Sequence, residues 1–375
     1  MRRTLLAVIS ALVLAPLAAA EGPKMWAFIG TYTGKKSQGI YRIEFDSETG
    51  KLGKPELAAE VASPSFLAVH PNRTHLFAVC EISNFEGKKA GGVASFTLDP
   101  KTGALKPINQ QSSVGPGPCH LVCDATGKYV LGANYGGGST FVLPVGADGK
   151  LGEASAFVQH PRPADPKGRQ EAPHAHSVNL DKANVFAVVA DLGLNQLLVY
   201  KFDAAKGTIA ANTALDQHPG AGPRHFAFHP NGKFAYTCNE LDSSVTALTY
   251  DAAKGELKRL NTLSTLPEPT KGNSTAEVVV HPSGKFVYVS NRGHNSIAVF
   301  TVNEATGELT AAGHQGEGVK IPRNFNVDPT GKWMLVCNQA GDSVIVYSID
   351  QATGALKPTD QKAEVGAPVC VKFVQ

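Results

Sequence analysis

A single pattern of about nineteen residues returns along the chain, and such internal repetition is the sequence signature of stacked equivalent units. Gly222-Pro223-Arg224-His225-Phe226-Ala227-Phe228-His229-Pro230-Asn231-Gly232-Lys233-Phe234-Ala235-Tyr236-Thr237-Cys238-Asn239-Glu240 serves as the reference copy. Residues 63–81, 117–135, 174–191, 274–292 and 321–339 follow it. Each copy holds a short apolar strand, a turn of the His-Pro-Ser-Gly-Lys kind and a second strand of β-branched and aromatic residues such as Phe286-Val287-Tyr288-Val289. A third strand follows, as in Val344-Ile345-Val346-Tyr347-Ser348-Ile349, and then a turn of the form Asp-x-x-x-Gly. That turn recurs at 46–50, 99–103, 203–207, 251–255, 303–307 (opened by Asn303) and 350–354, with a shortened form at 146–149. Asp or Asn opens it by bonding the backbone ahead, and Gly supplies the positive φ that closes it. A weaker fourth strand begins after the Gly, so seven turns predict seven four-stranded units.

Apolar residues at 42% with 38 glycines and 24 prolines suit a turn-rich globular fold and exclude a disordered or coiled-coil chain. Setting aside the first 20 of 375 residues leaves roughly 51 per unit, in the range of propeller blades. The ends predict closure: 25–32, 39–46 and 52–61 supply three strands without a first, and 367–375 is a first strand with nothing after it. The predicted fold is therefore all-β, a seven-bladed β-propeller spanning 21–375 as one domain, with the N- and C-terminal strands sharing one blade and no open edge at the seam.

Residues 1–20 read as a secretory signal peptide. Arg2 and Arg3 precede the apolar run 5–17, which is shorter than the ~20 residues of a membrane span, and Ala18-Ala19-Ala20 supplies a cleavage site. Export to the periplasm or medium is expected. Removing two arginines takes the formal charge from +3 to +1, so neither nucleic acid nor, after cleavage, a membrane surface is an expected partner. The six cysteines contain no CxxC pair, and Cys238 and Cys337 occupy one repeat position in different units, so they read as buried thiols and not as a disulfide framework.

In a blade the innermost strand begins, and the second ends, on the same face of the disc, so matching repeat positions form rings around the channel. The ring at the position of His225 reads Phe66, His120, His176, His225, Glu277, Asn324 and Cys370; the ring before it holds Arg224 and Arg323. At the end of the second strand the ring of Glu240 reads Tyr32, Glu81, Tyr135, Asp191, Glu240, Arg292 and Gln339, preceded by Asn134, Asn239, Asn291 and Asn338. Polar positions that vary in identity are what a site assembled from unlike blades requires; mutual satisfaction of buried polar groups around channel water is the structural alternative. The proline-rich stretch 160–171 enters His174-Ala175-His176 and is placed near this mouth.

Residues 220–225 running through 239–245, with 173–178 and 321–327, resemble the seven-bladed propeller lactonases, a family that includes bacterial 6-phosphogluconolactonase and a fungal carboxymuconate cyclase. The resemblance covers about 25–375 and implies that His176, Arg224, Glu240 and Arg292 match functional positions. Lactone hydrolysis needs an activated water, a stabilised oxyanion and a protonated leaving alkoxide. His176 and Glu240 are expected as base and partner, in either order, with Arg224 and Arg292 neutralising the oxyanion or holding an acidic group. His225, Arg323, His174, Asn239 and His120 are expected to bind substrate. Glu81, Asp191 and Asn239 could offer oxygens to calcium, but arginines in the same rings oppose a cation, so neither a metal nor another cofactor is expected. The expected partner is an anionic small-molecule lactone and the expected state a monomer. The alternatives are a carboxymuconate-type lactonising cyclase and a non-catalytic periplasmic propeller that binds a ligand or protein.

Overall fold

A computed structural model describes residues 24–163 and 166–375. The signal-peptide reading of 1–20 lies outside these residues. Seven four-stranded antiparallel sheets are present. Their innermost strands are Leu67–Val69, Pro118–Cys123, Ala175–Leu180, Pro223–Phe228, Thr275–Val280, Pro322–Val327 and Pro368–Val374. Each touches the innermost strand of the next sheet, and the seventh returns to the first, which makes a closed ring of blades. In the seventh blade, Pro368–Val374 pairs antiparallel with Lys24–Thr31, with Trp26 opposite Val374 and Gly30 opposite Cys370. This is the predicted closure. The fourth, outermost strand of that blade is shorter than its sequence suggests, Glu56–Glu60 in place of 52–61. Leu52 makes only an isolated bridge to Phe45, and Pro55 lies between, without an N–H to continue the ladder.

The core is distributed between blades. Phe186, Val188 and Ala190 of the third blade, for example, pack with Phe226, Ala235 and Leu248 of the fourth, as a sheet must bury both faces when it stands between two others. Solvent takes the outer strands, where Thr208–Asp216 is mostly exposed or half-buried. All six cysteines are free thiols. Among the described residues no helix is long and apolar enough to cross a membrane.

Candidate active site

Six innermost strands carry a β-bulge near their start. The register shifts between Pro118 and His120, Ala175 and Ser177, Pro223 and His225, Thr275 and Val278, Pro322 and Asn324, and Pro368 and Cys370. A bulge leaves residues outside the ladder and re-aims them. In four of the strands the residue skipped is Cys119, His176, Arg224 or Arg323. This pairing corrects the rings drawn from the sequence in one blade. Asp191 lies opposite Ala175, as Asn239 lies opposite Pro223, so Asp191 belongs with the asparagines and Leu192 takes the place matching Glu240. His176 accordingly stands level with Arg224 and Arg323, not with His225, whose place Ser177 takes. The copy in this blade is therefore 174–192, as long as the reference, and ending it at Asp191 sets it one residue out of register.

The cup has Glu240 as its centre of charge. Arg224 Nε lies 2.9 Å from Glu240 Oε2 and Arg292 Nη2 lies 3.0 Å from Oε1, and Arg169 pairs with Oε1 from the loop above. Two of these guanidiniums are also tied to backbone: Arg224 donates to the Ala276 carbonyl, and Arg292 donates to the Thr275 carbonyl at 2.9 Å. Burial would raise the Glu240 carboxyl, but Arg292, Arg224 and Arg169 outweigh it and hold it at about 2. Burial and the like charge of Arg224 bring Arg292 down to about 10. On the opposite wall Tyr32 donates to Glu81 at 2.9 Å, Ser65 donates to the same carboxylate, and the Arg323 guanidinium lies 5.3 Å from the centre of the Tyr32 ring.

His176 is buried, with Cys119 Sγ 3.6 Å from its Nδ1 and the Tyr135 ring 5.2 Å away, edge on. Burial, then Arg224, push its pKa well below the ordinary imidazole value, so it is neutral at neutral pH. Below it Phe66, His120, His225, Glu277 and Asn324 form a septum. His225 bonds Glu277 at 2.8 Å, Asn324 donates to the other carboxylate oxygen, and the His120 ring lies tilted against Phe66 with 4.0 Å between ring centres. Beyond lies a cavity of about 240 Å³ lined by Asn326 and Lys372, and His225 and Phe66 face both this cavity and the cup.

His176, Arg224, Glu240 and Arg292 are thus brought together, with Arg323 beside them and His225 and His120 in the floor. Two substrate-binding expectations meet a different placement. Asn239 turns into its own blade and donates to Ser244 at 2.8 Å and Thr246 at 3.0 Å. The same bond to the residue five ahead recurs from Asn134, Asn291 and Asn338, so this ring fastens the hairpins. His174 stacks on Tyr135, ring centres 4.5 Å apart, at the rim. Glu240 is held by guanidiniums, while His176 bears on Cys119 and Tyr135, so the two are not joined as base and partner. The three oxygens considered for calcium are dispersed: Glu81 accepts from Tyr32 and Ser65, Asn239 serves its blade, and Asp191 accepts from the His174 backbone at 2.8 Å and bonds buried His160 at 2.6 Å. Asp191 thereby clamps both ends of the loop 160–174. Among the described residues no three His, Cys, Asp or Glu side chains converge as metal ligands.

Arg169 is the residue the repeats could not reveal. It lies on the 3₁₀ turn Gly168–Gln170, and besides Glu240 it donates to the Tyr135 hydroxyl at 2.7 Å. The loop was placed at the mouth by its chain neighbours, but nothing periodic distinguishes one arginine within it.

Residues 26–373 match the family model described as lactonase, 7-bladed beta-propeller. A 6-phosphogluconolactonase of Bacillus subtilis is 37% identical over 94% of this chain and 99% of its own length. Among solved structures, a putative 6-phosphogluconolactonase of Bacteroides fragilis superposes with a TM-score of 0.87 at 33% identity, covering 96% of this chain and all of that one. A periplasmic gluconolactonase of Pseudomonas aeruginosa does so with a TM-score of 0.87 at 31% identity, over 94% of this chain and 99% of its own.

Proposed function

The chain belongs to the seven-bladed β-propeller lactonases, and we propose that it hydrolyses the ester of an anionic sugar-acid lactone, with 6-phosphogluconolactone the type, outside the cytoplasm and without a metal. The observation that carries this reading is a neutral imidazole, His176, beside a buried carboxylate ringed by three guanidiniums. His176 is the base: it takes a proton from the attacking water as the oxygen adds to the lactone carbonyl. Arg224 and Arg292 neutralise the oxyanion of the tetrahedral intermediate, and Arg292 has a buried Nε without a hydrogen-bond acceptor. When the ring C–O bond breaks, the imidazolium returns its proton to the leaving alkoxide. Glu240, too weak a base at about 2, orients the guanidiniums. The lactonase names of the relatives and the periplasmic name of one structural neighbour support the substrate class and the compartment.

The test expresses the full chain and assays the periplasmic fraction, then the purified protein, on gluconolactone, 6-phosphogluconolactone and a muconate panel, each with and without EDTA and after subtracting spontaneous hydrolysis. Lactone opening is expected to survive EDTA and to fall roughly hundredfold or more in His176→Ala and in Arg224→Ala, the scale of losing a general base or an oxyanion donor. Turnover of a muconate with no lactone opened, or activity abolished by chelation, overturns the reading.

A further inference from the structure

We infer that Arg169 is an exchangeable counter-ion of Glu240 that leaves it to grip the anionic substituent of the incoming lactone, and so sets the preference for charged over neutral substrates. This rests on the lactonase reading above. The three guanidiniums on Glu240 are not equivalent. Arg224 and Arg292 have side chains only 2% and 14% exposed, and each is pinned to a backbone carbonyl of the fifth blade. Arg169 has a side chain 49% exposed, comes from a loop, and reaches two side-chain acceptors, Glu240 Oε1 and Tyr135 Oη. An ion pair half in water contributes little and is readily traded, whereas a planar guanidinium meeting a phosphate or carboxylate makes paired charge-assisted bonds.

The exchange has a place to happen. Gln170 Nε2 donates to the Leu192 carbonyl at 2.9 Å, and Asp191 holds both ends of the loop, so the loop beneath Arg169 is anchored while half of the Arg169 side chain faces solvent. Glu240 keeps Arg224 and Arg292 after Arg169 departs and remains charged. No buried charge is stranded by the move, which is the condition for it to be cheap. A neutral lactone offers Arg169 nothing in return for Glu240.

Calorimetric titration with 6-phosphogluconate and with gluconate, the two ring-opened products, tests this on wild type, Arg169→Ala and Arg169→Lys, alongside kcat and KM on the two lactones. In Arg169→Ala the affinity for 6-phosphogluconate is expected to fall roughly ten- to hundredfold, the worth of a charge-assisted bond, while gluconate changes by less than about threefold; Arg169→Lys recovers part of the loss. The kinetic loss is expected chiefly in KM for the phosphorylated lactone, at least about tenfold larger than any change on gluconolactone. An equal loss on both ligands, or none on either, overturns the inference and leaves the lactonase reading standing. Selective loss of 6-phosphogluconate binding in a protein that opens no lactone sustains Arg169 as the anion residue and overturns the hydrolytic reading instead.

Discussion

Glu240 keeps a full negative charge where burial alone would protonate it, because Arg292, Arg224 and Arg169 surround it. Its folded pKa of about 2 lies below the ordinary 4.5, so it contributes stability that is fully present above about pH 4.5 and is lost as pH falls through about 2. Glu240→Gln would leave Arg224 and Arg292 buried without a counter-charge, and is expected to cost about 3–5 kcal/mol at pH 7, the scale of breaking a buried pair. Urea melts of both proteins at pH 7, 4.5 and 3 check the sign: the gap between them should narrow as the pH drops below 4.5. A gap that stays constant to pH 3 would mean that the carboxylate's charge is not what the arginines require. The residues of this cup were legible in the sequence because repeat positions map onto rings, yet His176 fell one level too low. A slip of one register is invisible to alignment when neighbouring positions are both polar. Arg169 was illegible for a different reason, since a loop residue has no counterpart in the other copies and its partner lies 71 positions away.

The Asp-x-x-x-Gly turn does more than reverse the chain. All seven turn glycines have positive φ, and each packs against the ring of a residue that opens, or lies near the start of, the second strand of the preceding blade. Gly50 meets Trp333, Gly103 meets Trp26, Gly149 meets His75, Gly207 meets Tyr129, Gly255 meets Phe186, Gly307 meets Phe234 and Gly354 meets Phe286. The sequence shows the glycine and its φ requirement; it does not show the aromatic partner, because that contact crosses from one repeat to the next. At Gly207, with φ +66°, a Cβ would stand 2.0 Å from Tyr129 Cε1, so two costs coincide. Gly207→Ala is expected to destabilise the protein by about 2–4 kcal/mol, roughly 1 from the left-handed backbone and the rest from overpacking. In a Tyr129→Leu background only the backbone part should remain, a non-additivity that denaturant melts of the double-mutant cycle will resolve. Additive costs would show that the ring is not what forbids the side chain.

Ring closure is what makes the cup a site, for its walls come from blades on every side of the channel: Tyr32 from the N-terminal strand's end, Arg323 from the sixth blade, Arg224 and Glu240 from the fourth. The seventh blade is the one place where the polypeptide does not hold its own sheet together, since its innermost strand and its other three come from opposite ends of the chain. Within Pro368–Val374, Val369, Cys370, Val371 and Val374 are all but inaccessible to solvent. At about 1.5–3 kcal/mol for each valine fully buried, the three valines alone contribute roughly 4.5–9 kcal/mol, comparable with the whole net stability of an ordinary domain. Removing residues 367–375 would also bare the edge of Lys24–Thr31 and the flank of Pro322–Val327, a row of unpaired backbone groups open to another chain. The truncated protein is therefore expected to show no cooperative thermal transition and to aggregate, by circular dichroism and light scattering. Adding back a synthetic peptide of 367–375 should restore the transition in a concentration-dependent way, as any ligand that binds only the folded ring must. A truncated chain that melts within a few degrees of the intact one would mean that six blades and three strands already hold the ring, and that closure by shared termini is not what keeps unlike side chains facing one another across the cup.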